Sequence, residues 1–401
     1  MTELLRDVPV ARGGGARLAE RVVLRALERI EGGTLELRLP DGSSHRFGAG
    51  RPVTVYVSSR DVFRRLARRP RLGLGESYVA GDWAADDLPF FFELLIGAVE
   101  RWRGESRVAR LERFRPHVSP RQGLRRARRN IGYHYDLGNE LYGLFLDESL
   151  TYSCGIWAEG DSLAQAQERK LRSICEQLRL GPADDVLEIG CGWGSFALMA
   201  AGEYGAHVTA LTLSDQQARL ARERAEAVGL EDRVEVLLQD YRTLDGRFTK
   251  IASIEMLEAI GHSQYPAFFT ACDRLLLPGG RVCIQTIAIP DGRYERYRRH
   301  DDWIRRYIFP GSLLPAVAVL QRTMTRSSRL QVAGLEEIGP HYAPTLAAWR
   351  ERFLDRLDDV RRLGYDERFV RTWDFYLAYC EAAFRTRSLR DVQLLLARPF
   401  E

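Results

Sequence analysis

The chain has 401 residues, of which 45% are hydrophobic and 28% are charged. This balance is typical of a folded protein of about two domains, and it excludes a fibrous repeat or global disorder. The formal net charge is only +4, and arginine supplies nearly all of the positive charge because Lys170 and Lys250 are the only lysines.

Cysteine spacing and apolar runs exclude several further classes. Six cysteines are scattered without a CxxC pair, which indicates neither a disulfide framework nor a zinc site, and we expect no metal. Residues 1–30 lack the continuous apolar core of a secretion signal. The longest apolar stretch, from Pro89 to Val99, is too short to span a bilayer. These observations predict a cytoplasmic protein whose membrane contact, if any, is peripheral.

Residues 1–100 are predicted to form a small α+β domain. GTLELRLPDGSSHRF and PVTVYV alternate apolar and polar residues as short strands do, with a turn at Asp41 and Gly42. DVFRRLARRP then follows with the pattern of a helix.

Residues 101–130 are predicted to form an arginine-rich helical connector. Between Arg101 and Arg129 the sequence has eleven arginines against Glu105 and Glu112. Such an excess suits an anionic surface, either phospholipid or nucleic acid. The plain alternative is a solvated helix face.

Residues 131–401 alternate short β-branched strands with long amphipathic helices, which is typical of a parallel sheet. The strongest local signal is DDVLEIGCGWGSFALMA. Here an apolar strand from Val186 to Ile189 leads into Gly190, Gly192 and Gly194, and a helix begins near Ser195. Glycines at such a turn let the backbone approach a ligand at the helix N-terminus.

Three details favour S-adenosylmethionine over a dinucleotide in this turn. The spacing is GxGxG, and Glu188 lies at the strand end, where it can meet the amino group of the ligand. The second strand, HVTALTLS, ends without the acidic residue that a dinucleotide ribose attracts, and Gln217 follows. The third strand presents Asp240 and Tyr241 to an adenine. We therefore predict an α/β fold with the Rossmann-like, seven-stranded sheet of class I methyltransferases and a smaller N-terminal α+β domain.

The chain resembles the cyclopropane-fatty-acyl-phospholipid synthase family. The segments that carry the resemblance are YHYDLGNELY, TYSCGIW, VLEIGCGWGSFA, LTLSDQQ, LLQDYR, EMLEAIGH, YIFPGSLLP, HYAPTLAAWRERF and YCEAAFRTR, together with GLGESYVAGDW in the N-terminal domain. They cover nearly all of the chain after residue 130, in the order of the family.

The resemblance implies methyl transfer from S-adenosylmethionine to the cis double bond of an unsaturated acyl chain in a phospholipid. Methyl transfer leaves a carbocation, and a cyclopropane ring closes after a base removes a proton from the new methyl group. The family implies that bound bicarbonate is this base. It also implies a homodimer at the inner face of the membrane, so an anionic membrane is favoured over nucleic acid as partner.

The resemblance assigns catalytic roles around the bicarbonate. It implies that Cys154 contributes its backbone N–H, with Glu258 and Tyr342 as side-chain partners, and it includes Cys380 in YCEAAFRTR. The best-known bacterial members carry a histidine where this chain has Gln285. A glutamine amide donates to bicarbonate but takes no proton near neutral pH.

The cofactor site is implied in the same way. The expected cofactor-binding residues are Tyr135, Tyr152, Ser153, Glu188, Gly190, Gly192, Thr212, Leu213, Gln217, Asp240 and Tyr241. His262 either compensates for the missing histidine or serves as a surface or capping group.

Three alternatives remain open at this stage. The same substrate gives a methylene or, after reduction by a partner, a methyl-branched product if the carbocation is quenched differently. A small-molecule N-methyltransferase uses the same sheet but needs a polar amine pocket, whereas YIFPGSLLP and the aromatic residues around Phe375 suit an apolar tunnel. A nonenzymatic lipid-binding protein would not need the glycine-rich turn.

Overall fold

The computed structural model describes residues 16–105 and 137–400, with no side chains described at 16–17 and 102–105. Within this part the chain forms two compact units. We call them the four-stranded unit (16–105, 296–310 and 354–388) and the seven-stranded unit (137–295, 311–353 and 389–400). The units alternate along the sequence. The domain boundaries near residues 100 and 130 remain a prediction.

The described elements are as follows in chain order. The helices are α1 Ala16–Leu27, α2 Asp61–Arg68, α3 Gly73–Val79, α4 Leu88–Glu105, α5 Asn139–Phe145, α6 Leu163–Leu178, α7 Ser195–Tyr204, α8 Asp215–Ala227, α9 Tyr265–Leu275, α10 Tyr294–Tyr297, α11 Trp303–Tyr307, α12 Val317–Ser327, α13 Tyr342–Asp355, α14 Leu357–Arg362 and α15 Glu367–Arg385. The strands are β1 Thr34–Arg38, β2 Ser44–Gly48, β3 Pro52–Val57, β4 Trp83–Ala85, β5 Asp185–Ile189, β6 His207–Thr212, β7 Val234–Leu238, β8 Phe248–Ile254, β9 Leu276–Ala288, β10 Gln331–Glu337 and β11 Arg390–Ala397.

The four-stranded unit has the sheet order β2-β1-β3-β4. The predicted turn at Asp41 and Gly42 joins β1 to β2 as an antiparallel pair. The helices α4 and α15 pack through aromatic rings, with Phe92 and Phe375 edge to face at an interplanar angle of 72° and their centroids 4.9 Å apart. Among residues 16–105 and 137–400, none of the helices has the length and apolar character that a membrane span requires.

The seven-stranded unit confirms the predicted methyltransferase fold class. Its strand order is β10-β11-β9-β8-β5-β6-β7. The pairs from β9 through β8, β5 and β6 to β7 are parallel, and β11 is antiparallel to both of its neighbours. The central strands bury apolar side chains such as Leu187, Ile251 and Ile284 completely, as expected for a sheet covered on both faces. Five parallel strands therefore have their carboxyl ends at one edge of the sheet.

Loops at this edge are shaped by the local sequence. Gly190 follows β5 with a φ of 84°, and an added Cβ would come within 2.9 Å of the Met256 side chain. A residue other than glycine would therefore clash as well as strain the backbone. Ser214 follows β6, and its side chain accepts a hydrogen bond from the backbone N–H of Gln217 at the start of α8. Loop and helix are thereby fixed beside the strand ends.

Candidate active site

A cavity lies at the carboxyl ends of β5, β6, β7 and β8, where open α/β sheets bind their ligands. Ten of the predicted cofactor-binding residues line it: Tyr152, Ser153, Glu188, Gly190, Gly192, Thr212, Leu213, Gln217, Asp240 and Tyr241. The eleventh, Tyr135, lies outside the described residues. The structure thus brings these residues together, and their roles in binding remain predictions.

The glycine-rich turn leaves space on its cavity side. Gly192 has a φ of 53°, and no atom lies within 4 Å of the position that a Cβ would take. Arg224 stabilises the same turn by donating hydrogen bonds to the carbonyl oxygens of Ser149 and Trp193, at 2.8 and 2.7 Å. The turn is therefore rigid while its backbone stays open to a ligand.

Two buried polar atoms on the cavity wall fit a cationic cofactor. Oε2 of Glu188 and the hydroxyl of Tyr241 have no hydrogen-bond partner among the described atoms. Burial raises the pKa of Glu188 to about 8 and also raises the pKa of Tyr241. Unsatisfied buried groups of this kind are costly unless a ligand completes them. A cation bound beside Glu188 would favour its ionised form, so this residue is suited to the ammonium or sulfonium of S-adenosylmethionine.

Side chains at the end of β6 and β7 are already oriented. Thr212 Oγ1 donates to Oε1 of Gln217 at 2.8 Å. Asp240 accepts hydrogen bonds from the guanidinium of Arg242, at 2.8 Å from Nε and 2.7 Å from the terminal nitrogen. Fixed rotamers cost a ligand less free energy on binding than mobile ones do. The geometry is compatible with the predicted ribose and adenine contacts.

A second group of polar residues surrounds Glu255, directly after β8. Oε1 of Glu255 accepts hydrogen bonds from the backbone N–H of Cys154 at 2.8 Å and from Nε2 of Gln285 at 2.9 Å. Oε2 accepts a hydrogen bond from the hydroxyl of Tyr342 at 2.7 Å. Glu255 is also one of the residues that line the cavity. Cys154, Gln285 and Tyr342 therefore come together as predicted, but around a residue that the sequence analysis did not name.

Glu258 lies in the same region but makes other contacts, and its role as a bicarbonate partner with Cys154 and Tyr342 stays a prediction. It follows Glu255 in a short turn of 3-10 helix, Leu257–Ala259. Its Oε1 accepts from Thr286 Oγ1 at 2.9 Å and from the backbone N–H of Ile287 at 2.5 Å. Its Oε2 is buried and has no hydrogen-bond partner within residues 16–105 and 137–400. Burial, and secondarily the charge of Glu255, raises the pKa of Glu258 to about 8.

The Cys154 thiol is inert in this arrangement. The side chain is completely buried and Sγ donates to the carbonyl oxygen of Gly155 at 3.2 Å. Burial raises the pKa of the thiol well above its ordinary value, followed by the negative charges of Asp391 and Glu255. A thiol that stays protonated is a poor nucleophile. The geometry therefore agrees with a role for the backbone N–H alone.

Gln285 is held in one orientation by its neighbours. Its Oε1 accepts a hydrogen bond from Nε2 of Gln393 at 3.1 Å, which directs Nε2 toward Glu255 and the carbonyl oxygen of Cys154. Gln393 in turn accepts from Gln177 at 2.5 Å. The Gln285 amide therefore donates a hydrogen bond to the carboxylate without gaining or losing a proton.

Two charged residues near the site were missed by the sequence analysis. Lys170 is fully buried on α6, donates to Ser153 Oγ at 2.8 Å and lines the cavity. Burial lowers its pKa to about 8, although Glu255 and other acidic groups oppose the shift. Asp391 on β11 is also fully buried. The rarity of lysine in this chain was the one sequence feature that could have drawn attention to Lys170. No feature of the sequence drew attention to Asp391.

Two other candidate residues have contacts of their own. Cys380 is on α15 in the four-stranded unit, and burial raises the pKa of its thiol. Its predicted catalytic role is untested. His262 Nδ1 lies 2.7 Å from the hydroxyl of Tyr294, at the start of α10.

The sheet order and the cavity at its carboxyl edge define a class I S-adenosylmethionine-dependent methyltransferase. Comparison with known proteins narrows this class. The family model described as mycolic acid cyclopropane synthetase matches residues 122–394. The chain therefore belongs to the cyclopropane synthase family, and it is an S-adenosylmethionine-dependent enzyme, as the sequence analysis predicted.

Named relatives match most of the chain. It is 38% identical to "Tuberculostearic acid methyltransferase UfaA1" of Mycobacterium tuberculosis, over 97% of this chain and 93% of the relative. It is 37% identical to "Cyclopropane-fatty-acyl-phospholipid synthase" of Escherichia coli, over 87% of this chain and 89% of the relative.

A solved structure agrees with this relationship. The cyclopropane synthase CmaA1, complexed with S-adenosylhomocysteine and CTAB, has a TM-score of 0.63 at 28% identity, covering 68% of this chain and 98% of its own.

Proposed function

We propose that the enzyme transfers the methyl group of S-adenosylmethionine to the cis double bond of an unsaturated acyl chain in a phospholipid and forms a cyclopropane. The observation that carries this proposal is the group of hydrogen-bond donors around the Glu255 side chain in the wall of the cofactor cavity. Methyl transfer to an amine or oxygen requires only a group that accepts a proton from a polar substrate. Removal of a proton from carbon requires a base that is held by such a group of donors.

The side chains around the cavity have separable tasks in this reaction. When bound, S-adenosylmethionine supplies an electrophilic methyl group on a sulfonium. Glu188 and the turn at Gly192 bind and orient the cofactor, so that its methyl carbon lies in line with the alkene. Apolar walls such as Leu171, Phe196 and Ile254 exclude water, which would otherwise trap the carbocation.

Bicarbonate and Glu255 are the two candidates for the base. The family resemblance implies bicarbonate, held by the backbone N–H of Cys154, Glu258 and Tyr342, and this remains a prediction. In the structure, the donors expected for bicarbonate are engaged by Glu255.

A methyl-branched or methylene product is the second candidate for the outcome of the same transfer. The 38% identity to a protein named tuberculostearic acid methyltransferase supports it. Ring closure and simple proton loss share the methyl transfer and the base, so both start from the same cavity. Coclaurine N-methyltransferase shares the fold at 20% identity, which carries no argument for an amine substrate.

The proposal includes peripheral docking at the cytoplasmic face of an anionic membrane. An acyl substrate lies in a bilayer, and the excess of arginine between residues 101 and 129 suits its surface charge. Residues 106–129 lie outside the described part of the chain. A homodimer remains a prediction of the resemblance.

Transfer of label from S-adenosylmethionine to lipid tests the proposal. The protein is incubated with labelled S-adenosylmethionine and unsaturated phospholipid vesicles, and label in the acyl chains is the expected result. Label in a water-soluble amine but not in lipid would favour the N-methyltransferase alternative instead.

A further inference from the structure

The anion site of this enzyme is filled by the chain itself. Glu255 accepts three hydrogen bonds, from the backbone N–H of Cys154, from Nε2 of Gln285 and from the hydroxyl of Tyr342. These are donors that the resemblance assigns to bicarbonate. Donors that already surround a carboxylate are not available to a second anion, and two anions in one small site repel each other.

The backbone at Glu255 supports a functional reason for this side chain. Its φ is 49°, in the left-handed region that glycine adopts readily and a residue with a Cβ adopts at a cost. The position directly follows β8, where a glycine would fit without strain. Strained residues of this kind concentrate at active sites, so the carboxylate is kept despite the backbone it requires.

The position of Glu255 gives it access to the reacting carbon. It lines the cavity together with Ser153, Gly190 and Met256, at the edge of the sheet where the cofactor binds. A general base must lie within hydrogen-bond reach of the proton that it removes. The three donors use both acceptor sites of Oε1 and one of the two on Oε2, so Oε2 can still accept a proton.

We infer that Glu255 is the general base that removes the proton from the transferred methyl group, in place of bicarbonate. This inference rests on the proposed function. The alkene π pair forms a bond to the methyl carbon as the carbon–sulfur pair leaves with sulfur, giving S-adenosylhomocysteine and a carbocation. Glu255 then takes a proton from the new methyl group, and the carbon–hydrogen pair closes the ring. The proton passes to water after the product leaves.

Two buried ionisable residues, Asp391 and Lys170, interact with Glu255. Burial raises the pKa of Asp391 well above its ordinary value, with the charge of Glu255 as the next cause. The two residues share Nε2 of Gln285, which lies 2.9 Å from Glu255 and 3.4 Å from Asp391. Lys170 is the buried cation of this group, and the charge of Glu255 raises its pKa against the effect of burial. The charge of Glu255 therefore acts on both buried residues.

Removal of the carboxylate tests the inference, with bicarbonate as the probe. In bicarbonate-depleted buffer we expect the wild-type enzyme to keep its full turnover, and Glu255→Gly to lose about 100-fold, within the usual contribution of a general base. Glycine relieves the positive φ, so this variant should fold. The vacated donors then accept an anion, and added bicarbonate should restore turnover at least about 10-fold.

Three controls accompany this variant. Glu255→Gln fills the same space with an uncharged amide, so it should lose turnover without rescue. Glu231→Gly removes an exposed glutamate from a loop and should behave as wild type in both buffers. Line broadening of ¹³C-bicarbonate in NMR should appear with Glu255→Gly and be absent with wild type, which reads the anion site without catalysis.

Three results would overturn the inference. They are a wild-type enzyme that needs bicarbonate, a Glu255→Gly variant that keeps more than half of its turnover in depleted buffer, and equal bicarbonate binding by the two proteins. If no protein labels an unsaturated lipid in either buffer, the proposed function fails, and the NMR comparison still decides whether Glu255 fills the anion site.

Discussion

The phenolic hydroxyl of Tyr342 donates a hydrogen bond of 2.7 Å to Oε2 of Glu255. Tyr342 is the first residue of α13, whereas Glu255 follows the central strand β8, so the contact joins two segments 87 positions apart. It completes the ring of donors around the carboxylate in the cofactor cavity. The proposed removal of a proton by Glu255 depends on this arrangement.

Loss of the tyrosine hydroxyl should affect turnover and leave cofactor binding intact. Tyr342→Phe removes one charge-assisted hydrogen bond to the proposed base, and such bonds contribute about 1.5–3 kcal/mol. We expect a loss of turnover of about 10- to 100-fold, with the Kd for S-adenosylmethionine unchanged. Single-turnover kinetics and calorimetry measure the two quantities. The matched control is Tyr56→Phe at an exposed tyrosine, and an equal loss there would contradict the role of Tyr342.

A bulky side chain in the glycine-rich turn should abolish cofactor binding. At Gly192 the Cβ position is open toward the cavity, so Gly192→Leu places a side chain where the ligand must approach. The positive φ also costs about 1–2 kcal/mol of stability. Gly229→Leu is the control, because Gly229 has a φ of 68° and equally open space but lies outside the cavity. Calorimetry should show binding lost only in Gly192→Leu, and normal binding by that folded variant would contradict the cofactor placement.

Glu258 should make the protein less stable as the pH rises. Its pKa is raised from 4.5 to about 8 in the folded state, so between these values the folded protein retains a proton that the unfolded chain has released. Stability therefore falls with increasing pH across this window, by at most about 1.4 kcal/mol per pH unit from this group.

Glu258→Gln should remove that contribution and flatten the pH dependence. Urea unfolding at several values between pH 5 and pH 8 measures the slope, and the gain over wild type should be largest at the upper end. The exposed Glu231→Gln is the control and should keep the wild-type slope. Parallel pH profiles for wild type and Glu258→Gln would contradict the raised pKa.

Replacement of four arginines should weaken membrane binding. Arg125, Arg126, Arg128 and Arg129 belong to the arginine-rich segment, and each contributes about 1 kcal/mol near an anionic surface. We expect wild-type binding to anionic vesicles to fall as salt rises, because exposed charges are screened beyond about 8 Å at physiological ionic strength. The variant with all four changed to Gln should lose much of this binding in a flotation assay while it still methylates detergent-dispersed lipid. Unchanged vesicle binding would contradict the docking role of this segment and favour the alternative of a solvated helix face.

Local sequence patterns were sufficient to predict the sheet and the cofactor cavity. The strand before Gly190 and the residues that end β6 and β7 are read from short stretches, since each loop is next in sequence to the strand that positions it. The order of these strands at one edge then follows from the fold class. Tyr135 stays a prediction because it lies outside the described residues.

The centre of the anion site could not be read from the sequence. Glu255 and Glu258 occur in one short motif, EMLEAIGH, and only the turn after β8 decides which carboxylate faces Cys154 and Tyr342. Asp391 reaches the site from the strand β11, far along the chain. Contacts between distant segments depend on the packing of the sheet and leave no periodic signal.

The position of the transferred carbon tests the central claim most directly. The protein is incubated with S-adenosylmethionine carrying ¹³C in the methyl group and with vesicles of a cis-unsaturated phosphatidylglycerol, and vesicles of the saturated lipid serve as control. ¹³C NMR of the extracted acyl chains should show the label in the ring methylene of a cyclopropane, and only in the unsaturated lipid. Label in an exocyclic methylene or a methyl branch would contradict ring closure, and absence of label from the lipid would contradict acyl-chain methylation altogether.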